Sequence, residues 1–282
     1  MSEADLDNKV YGPVGRCIYC GSTDSLTDEH IFPKFLWGTA ILPKASCEAC
    51  RRLTSEFERT CARFILGRFR IVHDLPTDHP GKRPLHLSIE IEKGGDIENV
   101  EVPISDYPGA SIFLLTWAKP GILRSARRSD TVLKDVQFHF VMPVLRDIEE
   151  RFDRVGLSPG VYAYVPIGFE PVSFAQFIAK VSHALAIAEF GAGSFTPYLT
   201  PLIRGRYRDA PFLTGTNRDH PLFSPEKDHR GSFEIVSRGK RKYLCCNLQF
   251  LTVLKLPIYQ TVVGRPTRAL QKRFKARVIR QS

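Results

Sequence analysis

Nowhere in this sequence do about 18 apolar residues run together, the least that a membrane-spanning helix needs. No membrane span is therefore expected. The opening residues, MSEADLDNKVYGPVG, have neither the basic start nor the apolar core of a secretion signal, so the expected compartment is the cytoplasm. There is no internal repeat and no low-complexity tract. An even cysteine count is missing too. Seven cysteines, four of them in two CxxC pairs, fit metal binding in a reducing compartment better than a disulfide framework. Acid is nearly absent from the end of the chain, where residues 230–282 hold 13 Lys/Arg against one acid, Glu234. That stretch carries the excess behind the net charge of +10, and a polyanionic partner is expected, because Lys and Arg displace counterions from phosphates.

What is present reads as a globular protein: 282 residues, 43% hydrophobic and 25% charged. The expected organisation is a zinc-binding unit over 1–69, a Pro-rich linker over 70–84, and an α+β unit over 85–282 that selects a target or partner. In the last unit, LHLSIEIE and IENVEV flank KGGD as a hairpin, and SFEIVS and KYLCCNLQFL flank RGKR as another. ASIFLLTWA, GVYAYVPI and IYQTVV read as strands. MPVLRDIEERFDRVG reads as a helix, and so does SFAQFIAKVSHALAIAEFG, with Ser173 and Gln176 as a capping box, an apolar stripe and Gly191 as its stop. RALQKRFKARVIRQS reads as a short basic helix. Most sheet pairing is expected to be antiparallel, which gives a mixed α+β fold.

Cys17 and Cys20 are separated by two residues, and Cys47 and Cys50 repeat that spacing. Four thiolates can close a tetrahedral zinc site. Cys61, Cys245 and Cys246 read as buried thiols, since neighbours in a strand point to opposite faces. Between the pairs, SLTDEHIFP reads as a strand ending at His30 and AILPKAS as a second strand. SCEACRRLTSEFERTCARFILG then reads as a helix that carries the second pair in its first turn. His183, beside Lys180 on the later helix, reads as packed or solvated, and Phe35 and Trp37 as local core.

The residues CIYC, DEHIFP and ILPKASCEAC, followed by TSEFE, make positions 14–66 resemble the HNH endonucleases, in the subgroup whose ββα-metal fold carries a four-cysteine structural zinc. The resemblance implies metal-dependent hydrolysis of DNA. His30 would be the general base, and Glu29 a ligand of a catalytic Mg²⁺ or Mn²⁺. Pro33 would turn the chain out of the strand. Two positions depart from the family pattern: Arg51 stands where the helix gives a further metal ligand, and Leu42 where an Asn orients the histidine. Glu58, or Ser55 through water, shares a helix face with residue 51 and is the expected replacement ligand. Arg51 and Arg52 are then expected on the phosphate. The alternative is a degenerate zinc module that binds DNA without cutting it.

Overall fold

A computed structural model describes residues 2–4, 9–77, 79–107, 112–128, 136–141, 148–156, 162–164, 170–207, 209–226 and 228–279. The strands are β1 Ser2–Ala4, β2 Leu26–His30, β3 Ile41–Cys47, β4 His86–Lys93, β5 Asp96–Pro103, β6 Ile112–Thr116 and β7 Gln137–Val141. They continue with β8 Tyr162–Tyr164, β9 Phe195–Pro197, β10 Thr214–Thr216, β11 His229–Arg238, β12 Arg241–Phe250 and β13 Ile258–Pro266. The helices are α1 Glu48–Thr60, α2 Gly67–Val72, α3 Ile148–Arg154, α4 Pro171–Phe190, α5 Thr200–Ile203, α6 Ala210–Leu213 and α7 Arg268–Ile279. The expected α+β class holds, and every pairing between the named strands is antiparallel.

Both expected hairpins form. Gly94 and Gly95 connect β4 to β5, and Gly239 (φ +55°) with Lys240 turns β11 into β12. A six-stranded sheet has β1, β11, β12, β13 and β10 in order, with β9 also on β13. β5, β4 and β8 make a three-stranded sheet, while β2–β3 and β6–β7 each stand as a pair. Of the helix expected over 142–156 and the strand over 160–167, α3 and β8 are the described parts.

α4 lies on the large sheet. A Cβ on Gly231 would come within 2.6 Å of Leu185 Cδ2, so helix and strand approach closely there. α4 begins two residues before the expected Ser173 cap, with Pro171 in its first turn and no side-chain cap. Gln176 is therefore inside the helix and donates to the Leu202 carbonyl at 3.0 Å. The helix is also buried almost all round, from Phe174 to Phe190, where a single apolar stripe was expected. It has the length and mean hydropathy of a membrane span, yet 72% of that window is buried inside the protein.

One apolar core runs from Cys17 through α4 to Leu270, so the two expected units share it. The β2–β3 loop docks on the large sheet: the Phe32 and His229 rings stack at 4.6 Å, and His229 Nε2 reaches the Leu36 carbonyl at 2.5 Å. Residues 70–84 are not a free tether. Leu75 is fully buried, Arg70 donates to the Pro76 carbonyl at 2.9 Å, and Arg83 pairs with Asp74. Proline density suggested a linker, but these polar and apolar anchors hold the segment against the core.

Candidate metal centre and catalytic cleft

β2, β3 and α1 form the hairpin-then-helix arrangement expected for positions 14–66. Cys47 ends β3 and precedes the first turn of α1, so strand and helix together bring Cys47 and Cys50 to the CxxC turn of Cys17 and Cys20. That turn is tied to the hairpin by the Ile18 amide, which donates to the Ala45 carbonyl at 2.8 Å. The four Sγ atoms lie within 4.8 Å of one another, and Cys20 and Cys47 are 3.6 Å apart. Zinc–sulfur bonds of about 2.3 Å in a tetrahedron put sulfurs about 3.8 Å apart, so the cluster fits a zinc ion. Burial works against ionising Cys20, but the Ser22 amide and the neighbouring thiols bring it down to about 7.

His183 braces the knuckle from behind. Its Nε2–H donates to the Ile18 carbonyl at 2.9 Å, and its ring packs beside Tyr19 and Phe195. Burial pushes His183 down to about 4, so the ring is neutral. It is a packed histidine, as expected. Cys61, Cys245 and Cys246 are buried thiols.

Beside this centre lies a cleft of about 900 Å³ between the end of β2, α1 and α4. His30 is on its wall. So are Arg51, Ser55 and Glu58, one face of α1 as the helical spacing predicts. Burial, then the charges of Lys34 and Lys180, push His30 below its ordinary value, which leaves a neutral imidazole near pH 7. Lys34, Arg51, Arg59, Arg63, Arg70 and Lys180 face Asp28, Glu29 and Glu58, so cations outnumber acids along the lining.

Glu29 and Glu58 do come together, but around an ammonium that the sequence reading did not put there. Lys180 Nζ is 2.6 Å from Glu29 and 2.9 Å from Glu58. Glu29 and Lys180 are buried, and Glu58 is nearly so. Burial, reinforced by the Glu29 charge, raises Glu58 more than Lys180 lowers it. Both expected ligands of a catalytic Mg²⁺ or Mn²⁺ are thus already paired with one ammonium. A divalent ion bonded to them would sit beside a buried positive charge, so the donor set does not fit one.

The two departures also have structural roles. Leu42 opposes Glu29 across the hairpin and fills the core. Arg51 lies on the cleft wall, with its guanidinium forked onto Glu48 at 2.7 Å. Arg52, expected on the substrate, is not among the described side chains that line the cleft. It is exposed and paired with the same Glu48. The signal for Lys180 was a lone lysine among apolar helix neighbours, and buried charges are rarely left unpaired. Compared with protein-family models, with curated proteins and with solved structures, the chain matches none.

Proposed function

We propose that this cleft hydrolyses phosphodiester bonds in DNA, in the manner of an HNH endonuclease, with His30 as general base. The observation that carries the reading is a neutral, half-buried histidine facing a basic cleft beside a four-cysteine centre. The zinc would hold β3, α1 and the knuckle together and take no part in the chemistry. Cationic side chains of the rim, Arg51 and Arg59 among them, would hold the scissile phosphate. The water oxygen bonds to phosphorus as the bond to the leaving oxygen breaks. The proton of the water goes to His30, and the leaving oxygen takes one from a second water in the cleft.

The test is cleavage of plasmid and single-stranded DNA by wild type and His30→Ala, with and without Mg²⁺, Mn²⁺ and Ni²⁺. Losing a general base should slow the reaction by about 10²–10⁴-fold, with zinc content and thermal midpoint unchanged. Only neutral His30 can accept a proton, so wild-type rate should fall on the acid side of a pKa below 6.5. Equal cleavage by both proteins removes His30 from the mechanism.

A second reading is a module that binds DNA and does not cut it. It is favoured by the Lys180 ammonium at Glu29 and Glu58, and it expects affinity without turnover in any of those metals.

α7 would add affinity without reading bases. It is anchored by buried Leu270 and by Phe274 against Phe190, and it exposes Arg268, Lys272 and Lys275. Substituting Lys272 and Lys275 by glutamine, which keeps that anchor, should weaken binding to all sequences alike. It should also lower the slope of log affinity against log salt by about one per lost phosphate contact. An unchanged slope would mean that the helix is only solvated.

A further inference from the structure

α4 crosses the core with one lysine at its buried middle. Lys180 is 2% exposed, and its neighbours Ala179 and Val181 are fully buried. A lone ammonium would be costly there, so its partners define what the position is for. They are Glu29 from β2 at 2.6 Å, Glu58 from α1 at 2.9 Å and the His30 carbonyl at 2.5 Å, with the Ile31 carbonyl further off at 3.5 Å. The ammonium donates to the two backbone carbonyls, and the two carboxylates balance its charge as ion pairs.

Two carboxylates and a backbone carbonyl, converging from β2 and α1 on one point, are the hard-oxygen set that divalent cations take. Here a cation already holds that point, and it is covalently part of the chain. We propose that the ammonium of Lys180 is the resident cation of the Glu29–Glu58 site, in place of a divalent metal ion. It is a positioning residue. Through the His30 carbonyl it fixes the end of β2 against α1 and α4, and so sets where the His30 imidazole stands in the cleft. Where this site acts rests on the hydrolytic reading above; which cation fills it does not.

The experiment is a Mn²⁺ titration of the zinc-loaded full chain, followed by electron paramagnetic resonance. Wild type is expected to leave added Mn²⁺ free, and Glu58→Gln to behave the same. Lys180→Ala empties the donor set and is expected to take up a Mn²⁺ that Lys180→Ala/Glu58→Gln cannot hold. A Mn²⁺ bound by wild type and released by Glu29→Gln or Glu58→Gln would overturn the proposal. So would a folded Lys180→Ala that binds none. If Lys180→Ala fails to fold, the wild-type and Glu58→Gln titrations still decide. The readout is bound metal and not cleavage, so a protein without nuclease activity would overturn the hydrolytic reading alone.

Discussion

Cys47→Ser should cost the protein its zinc and lower the stability of the whole chain. Wild type purified without added metal should carry about one equivalent of zinc, and the serine variant far less. Zinc binding contributes about 10–16 kcal/mol to folding in small zinc modules, so the loss is large even after partial compensation. Cys47 sits where β3 passes into α1, so its loss loosens both elements from the Cys17–Cys20 turn. The damage should not stay local. His183 of α4 holds the Ile18 carbonyl of that turn, and Phe32 stacks on His229 of the large sheet. A single melting transition moved to lower temperature is expected, by circular dichroism with metal analysis in parallel. Full zinc and a wild-type midpoint in Cys47→Ser would remove the assignment.

Lys180→Met should destabilise by about 3–5 kcal/mol, the usual penalty for removing one partner of a buried ion pair. The apolar replacement fits its surroundings, but it leaves two carboxylates without the charge that holds them 2.6 and 2.9 Å from one atom. The penalty therefore belongs to the pairing and not to lost packing. Adding Glu29→Gln and Glu58→Gln to Lys180→Met should restore most of the loss, because neutral amides tolerate each other where like charges do not. Urea unfolding of the single, double and triple variants measures this directly. A triple variant no more stable than Lys180→Met would show that packing of the lysine stem was what mattered.

The two sites differ in how much of them the sequence displayed, and the reason is distance along the chain. The zinc centre and the hairpin–helix order lie within one continuous stretch. Cysteine spacing, strand alternation and a helical run therefore report them locally. Arg51, Ser55 and Glu58 on one wall followed from helix periodicity in the same way. Lys180 meets the His30 carbonyl across 150 residues, and His229 meets the Leu36 carbonyl across 193. No period or spacing carries contacts of that span. Residues 70–84 misled for a different cause: three prolines mark a chain that lacks regular structure, not one that lacks anchors. Buried Leu75 and the Arg70 and Arg83 side chains supply the anchors. The early start of α4 belongs with this, because Pro171 fits a first turn without help from a hydroxyl.

The 150 residues between His30 and Lys180 also set an order of events during synthesis. At roughly 5–20 residues per second, the lysine is added roughly 8–30 s after the glutamate–histidine pair of β2. Cys17 and Cys20 are made before that interval, and Cys47, Cys50 and Glu58 early in it, so a nascent chain can acquire its zinc while Glu29 and Glu58 still face water. Closure of the carboxylate pair waits for α4. The partner strand of β1 is made later still, since Ser2 pairs with Phe233. A ribosome-bound chain can therefore hold a metal at its four cysteines long before its cleft is complete, and chains halted before residue 180 should bind zinc without the closed carboxylate pair.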